Sequence, residues 1–175
     1  MIQWIVEKES IPRGNRILDL GCGNGHLLLE LAQHEYSQLH GVDYAEHAIH
    51  LASQIAQTQG FSQITFSVMD ILNSDMSESD LILDKGTFDA ISLANPSDLG
   101  LSLQSQIQAG YVDSVARLLA PNGILLITSC NWTEDELIGI FKPSLAFYDR
   151  VKYPTFRFGG SAGQSIVTVA FKKAL

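Results

Sequence analysis

Three glycines alternate in the stretch Asp19-Leu20-Gly21-Cys22-Gly23-Asn24-Gly25. Glycine is needed where a backbone turns with positive φ and where it must come close to a ligand. The N–H groups of such a loop, with the N-terminus of a following helix, then face that ligand. A dinucleotide loop has the spacing G-x-G-x-x-G/A, with a small third residue for close helix–strand packing. In that register the third position is His26, which is too large; the spacing present is G-x-G-x-G. Asp43, Asp70 and Asp84 each follow an apolar run. Ligands of open α/β sheets sit outside the carboxyl ends of strands, so these carboxylates stand where a ligand is met. Asn131 and Trp132 follow a further apolar run and offer a carbonyl acceptor and an aromatic wall.

Other patterns carry less. Gly159-Gly160-Ser161-Ala162-Gly163 fits G-x-S-x-G, but a nucleophile elbow joins strand to helix and has a histidine later in the chain. Strands are expected on both sides of it, and the last histidine is His50. His47 and His50 share a helix face without a third ligand, so no metal site is read from them. No G-x-x-x-x-G-K-[ST] loop is present, which leaves nucleotide hydrolysis unsupported.

Alternating elements must position these residues. Strands are expected at Arg16 to Leu20, Leu39 to Val42, Ile64 to Val68, Asp80 to Asp84 and Ile124 to Ser129. Helices are expected after the glycine loop, over Ala45 to Gln57, over Tyr111 to Leu119, and from the capping box Thr133-Glu134-Asp135-Glu136 to about Phe141. Phe147 to Tyr153 and Ser165 to Lys172 read as two strands forming a hairpin at one edge. Asn95 to Ala109 has weak periodicity and reads as a loop with a short helix. The order implies an α/β fold with a mostly parallel sheet covered on both faces.

Length and composition agree. A chain of 175 residues fits one domain, taken as 1–175, and 46% apolar with 17% charged residues excludes disorder as the main state. Eleven Lys and Arg against 19 Asp and Glu give a net charge of −8, unlike the basic face of a nucleic-acid binder. An acidic protein attracts a basic partner. No targeting segment or membrane span is read, so a cytoplasmic setting is expected. Cys22 and Cys130 give no disulfide framework and are expected to stay reduced.

The glycine spacing resembles motif I of the class I, seven-β-strand S-adenosylmethionine-dependent methyltransferases. A narrower resemblance runs through Leu83-Asp84-Lys85-Gly86-Thr87-Phe88-Asp89-Ala90-Ile91-Ser92-Leu93 and Ile127-Thr128-Ser129-Cys130-Asn131-Trp132-Thr133. These blocks, with Asp43-Tyr44 and Phe156-x-Phe158-Gly159-Gly160-Ser161, are similar to the family that methylates lysine in translation elongation factor 1-alpha, in its methyltransferase-like-10 branch. Asn95-Pro96-Ser97-Asp98 is a poor match to the Asn-Pro-Pro-aromatic motif of methyltransferases acting on DNA bases or glutamine amides.

The resemblance implies a Rossmann-like sheet of order 3-2-1-4-5-7-6 with strand 7 antiparallel. It implies S-adenosyl-L-methionine held by Asp19, Gly21, Cys22, Gly23, Asn24, Gly25, Asp43, Tyr44, Asp70, Ile71 and Asp84, with Asp43 on the ribose hydroxyls and Asp70 at the adenine amino group. It implies transfer to a lysine of elongation factor 1-alpha, with no nucleic-acid or membrane partner. A lysine has a pKa of about 10.4 and must lose a proton before it attacks a methyl carbon. Asp84, Asn131 and Trp132 are expected to guide and line up that amine, and Asp89 is expected to matter less. Relatives usually carry a further N-terminal segment that this chain is expected to lack, and often a serine where Ala45 stands. Two alternatives stay open: methyl transfer to a small molecule or another protein, and a cofactor-binding module without catalysis.

Overall fold

The short apolar runs form strands because each is flanked by turn formers and too brief for helical periodicity. The computed structural model describes residues 1–73, 76–93, 101–153, 156–158, 161–163 and 166–173. The Asn95 to Asp98 motif and Gly159-Gly160 lie outside the described residues. The helices are α1 (Ile2–Glu7), α2 (His26–Gln33), α3 (Glu46–Thr58), α4 (Thr87–Ser92), α5 (Leu101–Leu118) and α6 (Glu134–Phe141). The strands are β1 (Arg16–Leu20), β2 (Gln38–Asp43), β3 (Thr65–Val68), β4 (Ser79–Lys85), β5 (Leu119–Ser129), β6 (Leu145–Arg150), β7 (Phe156–Phe158), β8 (Ser161–Gly163) and β9 (Val167–Lys173).

Seven strands make one sheet in the order β3-β2-β1-β4-β5-β9-β6. Strands β1 to β5 run parallel, and β9 is antiparallel to both β5 and β6. This is the expected 3-2-1-4-5-7-6 order once the small β7–β8 hairpin is set aside; that hairpin lies between the last two strands of the sheet. The central strands β1 and β4 are buried over four consecutive residues, as a sheet covered on both faces requires. One face packs Ile17, Leu28, Leu31, Leu83 and Leu126 against α1 to α3. The other packs Leu18, Ile82, Phe88, Tyr111, Phe141 and Phe171.

Three local readings differ from expectation. Helix α5 begins at Leu101, so part of the weakly periodic stretch is helical. Strand β5 begins at Leu119 rather than Ile124, passing through Asn122 at φ 63° and a register shift against β4. Helix α4, six residues long, was too short to announce itself by period. The capping box is present as expected: Thr133 Oγ1 accepts from Glu136 N–H at 3.3 Å and Glu136 Oε2 accepts from Thr133 N–H at 2.8 Å. Helix α3 starts at Glu46, and Ala45 at its N-cap makes no side-chain cap.

Between β1 and β4 the chain order reverses, since β2 lies to one side of β1 and β4 to the other. A crevice at the carboxyl ends of the strands follows from that reversal, and the glycine loop leaves β1 at its lip.

Candidate active site

The glycine loop is stitched to β2, because Cys22 N–H donates to the Val42 carbonyl at 2.9 Å. Its glycines serve different ends. A Cβ on Gly21, at φ 62°, would sit 2.1 Å from Thr87 Oγ1, whose hydroxyl donates to the Leu20 carbonyl at 2.7 Å. The loop after β1 is thus pressed against the start of α4. Gly23, at φ 54°, has nothing within 4 Å of such a Cβ, so this is the side open to a ligand.

Asp43 ends β2 and holds the loop in place. Its Oδ2 accepts from Gly23 N–H and its Oδ1 from Ala45 N–H, both at 3.0 Å. A carboxylate has about four lone-pair sites, so two remain for a ligand. Asp70 Oδ1 accepts from Leu72 N–H at 3.0 Å, and its Oδ2 from the Asn73 amide at 2.7 Å. Asp43, Tyr44, Asp70 and Ile71 line one cavity of about 360 Å³, together with Gly21 and Lys85. Tyr44 stands at its rim, 84% exposed.

A second cavity of about 260 Å³ is lined by Asp19, Gly21, Cys22, Gly23, Asn24 and Lys85, among others. The two share Gly21 and Lys85, so they form one cleft around the loop. Asn24 Oδ1 accepts from His26 N–H at 3.3 Å at the start of α2. Gly25, at φ 76°, ends the loop with Phe66 2.9 Å from where a Cβ would be. Asp19 is only 2% exposed, and among the described residues no donor hydrogen-bonds its carboxylate. Burial first, then repulsion from Asp84 and Asp43, pushes it up to about 8 despite the opposing pull of Lys85.

Asp84 lies behind this cleft. It has no exposed surface, its Oδ1 accepts from Thr87 N–H at 2.8 Å, and its Oδ2 accepts from Phe88 N–H at 2.9 Å and from the Tyr111 hydroxyl. Both oxygens cap α4, satisfying backbone donors that a helix start leaves free. Burial raises its carboxyl to about 6, against the pull of those three donors. The expected contact between Asp84 and an incoming amine is therefore not open to it in this conformation.

Asp89 is likewise held by groups of the protein itself. It is buried, and its carboxylate accepts from the Ser129 hydroxyl at 2.6 Å and Cys130 N–H at 3.0 Å. Ser129 Oγ in turn accepts from Asn131 N–H and Trp132 N–H, both at 3.0 Å. The Trp132 indole N–H donates to Ser92 Oγ at 3.2 Å, and its ring centroid lies 6.0 Å from that of Phe88. Asp89 thus ties the loop after β5 to α4. Asn131 and Cys130 are exposed on that loop. The sequence assigns no role to Tyr111, Ser129 or Lys85; Ser129 and Lys85 lie within the two blocks of resemblance, whereas Tyr111 lies outside both.

Cys22 and Cys130 are both free thiols, with β4 between their strands. A groove of about 460 Å³ at the opposite ends of the strands, beside Arg16, His40 and Glu78, carries none of the groups above. Among the described residues no group of three or more metal-ligating side chains is found, and no helix is long and apolar enough to cross a membrane.

Known proteins place this geometry. Residues 11–170 match the family described as a methyltransferase domain. The chain is 41% identical to EEF1A lysine methyltransferase 2 of Danio rerio, over 99% of this chain and 72% of that protein. It is 47% identical to protein-lysine N-methyltransferase efm4 of Schizosaccharomyces pombe, over 90% of this chain and 69% of that one. The fold is that of magnesium protoporphyrin IX methyltransferase from Synechocystis PCC 6803, solved with bound S-adenosylmethionine: TM-score 0.71, 18% identity, 99% of this chain and 76% of that chain. With a cradle of this form and identity of this extent, the chain belongs to the S-adenosylmethionine-dependent methyltransferases, in the family of the EEF1A lysine methyltransferases 2 and EFM4.

Proposed function

We propose that this protein transfers methyl groups from S-adenosylmethionine to a lysine of translation elongation factor 1-alpha. The names of its relatives supply the substrate. The observation that carries the site is Asp19, a buried carboxylate with no hydrogen-bond donor among the described residues, facing a cavity beside an open glycine loop. Burial makes the ionised form of this carboxyl costly, and an ammonium group from a ligand offsets that cost. The ligand's sulfonium and ammonium both suit a cleft lined by Asp19, Asp43 and Asp70.

When bound, the cofactor supplies an electrophilic methyl carbon. The chain's own part is to bind, orient and exclude water. Asp43 has lone pairs left for a pair of ribose hydroxyls, and Asp70 stands at the far end of the same cavity, for an adenine amino group. Asn131 and Trp132 sit on the loop beside the strand ends, as an acceptor and a wall for the lysine side chain. Asp84 and Asp89 act through α4 and that loop rather than on the amine. Residues 1–175 work as one methyltransferase domain, in the cytoplasm, where elongation factor 1-alpha is used.

Mass spectrometry of elongation factor 1-alpha after incubation with the protein and cofactor tests this. Methyl groups on one lysine, absent with Asp43→Ala, are expected. Transfer only to another protein or a small molecule, or cofactor binding with no transfer, would overturn the substrate.

A further inference from the structure

Lys85 ends β4 and lines both cavities of the cleft, the one at Asp19 and the one at Asp43 and Asp70. Among the described residues that line either cavity it is the one Lys or Arg, and no carboxylate among the described residues forms an ion pair with it. Its root is fixed: the next residue, Gly86, donates its N–H to the Thr128 carbonyl at 3.1 Å, and Asp84 caps the helix that follows. In the β1–β4 register Asp19 pairs with Leu83, and Lys85 lies two positions on. Side chains two apart leave the same face of a strand, so Asp19 and Lys85 are opposite charges on one face of neighbouring strands.

The amino-acid end of S-adenosylmethionine carries both an ammonium and a carboxylate on one carbon. The ammonium suits the acidic cleft, but the carboxylate enters a field set by Asp19, Asp43 and Asp70. Without a cation it is repelled. We infer that Lys85 is the group that receives the cofactor's α-carboxylate, opposite Asp19, and that it selects for ligands that carry one. This rests on the S-adenosylmethionine reading and is independent of the protein substrate.

Calorimetry with S-adenosylhomocysteine and with its decarboxylated analogue, which keeps the amine, tests it in the wild type, Lys85→Met and Lys85→Arg. Lys85 is exposed, so neither substitution touches the core, and a thermal melt checks the fold. The wild type should prefer the carboxylate-bearing ligand by about 10–50-fold, the scale of one charge-assisted hydrogen bond. Lys85→Met should lose that preference by weakening S-adenosylhomocysteine alone, and Lys85→Arg should keep it. Equal weakening of both ligands by Lys85→Met, or no change in either, would make Lys85 a solvated lysine only. A wild type that binds neither ligand would overturn the cofactor reading itself, an outcome recognisable before any variant is made.

Discussion

The Tyr111 hydroxyl donates to the Asp84 carboxylate at a point where neither side chain has exposed surface. The pair joins the middle of α5 to the start of α4, so the wall of the cleft depends on a helix that does not touch it. Tyr111→Phe keeps the ring among Phe88 and Phe141 and removes the donor. Asp84 is raised in the folded state, so its contribution to stability is full below about pH 4 and is lost as pH rises through about 6. Without Tyr111 the carboxyl rises further and the loss extends to higher pH. Urea unfolding should show the variant destabilised by about 2–3 kcal/mol at pH 8 and by about 1 kcal/mol at pH 5. Equal effects at both would mean that Asp84 does not change charge between them.

Asp19 gives a second pH dependence. With its carboxyl at about 8, it holds a proton at pH 7 in the free protein. An ammonium-bearing ligand favours the ionised form, so binding at pH 7 should release most of one proton. Titrating S-adenosylhomocysteine in phosphate and in Tris should give enthalpies that differ by the buffers' heats of ionisation. Asp19→Asn should abolish the difference and weaken binding. In the absence of ligand, Asp19→Asn should become progressively more stable than wild type between pH 4 and 8.

Asp89→Ala should free the loop after β5 while leaving the glycine loop intact. Loss of a buried carboxylate that accepts two hydrogen bonds should cost about 2–4 kcal/mol of stability. At a temperature where the variant is folded, cofactor affinity should hold while kcat/KM for elongation factor 1-alpha falls by about 10²-fold. A matching fall in cofactor affinity would assign Asp89 to the cofactor cradle.

Gly21→Ala and Gly23→Ala should fail differently. The first drives a methyl group into Thr87 Oγ1 at 2.1 Å and should cost about 2–4 kcal/mol, partly restored by adding Thr87→Ala. The second meets no protein atom, should cost only about 1–2 kcal/mol for its backbone conformation, and should weaken cofactor binding. Thermal melts and calorimetry on the same three proteins separate the two.

Helix α3 should be improvable. Ala45 has extended backbone angles suited to a cap but no side-chain oxygen to offer. Ala45→Ser should add about 1 kcal/mol, read as a raised Tm with unchanged cofactor affinity.

Much of the sheet was legible because its strands are short apolar runs, and Asp43 at the end of β2 and Asp70 just past β3 both line the cavity. The parallel arrangement was readable from alternation, and the strand order from resemblance. What stayed hidden depended on direction rather than position. Asp84 lies one residue before the end of β4, but a side chain's facing is set by the next turn: Gly86 at φ 87° folds α4 back over it, which turned an open carboxylate into a helix cap. The link from Asp89 to Ser129 spans 40 positions and has no local signature. Tyr111, on α5, lies 27 positions beyond Asp84, and nothing in periodicity marks a core tyrosine as a partner for a buried acid.

Among the described residues strand β6 pairs with β9 alone, although β6 is made well before β9 in the chain. During synthesis the parallel part of the sheet can assemble while β6 has no hydrogen-bonding partner and the outer edge of β5 is bare. Trp4 and Lys8 also wait, since their hydrogen bonds of 3.1 and 2.5 Å go to Asp149 on β6. The first helix and the seventh strand of the sheet are thus docked in the same late event. Nascent chains that stop before Val167 should expose an adhesive edge and engage chaperones, and those that extend past Lys173 should not.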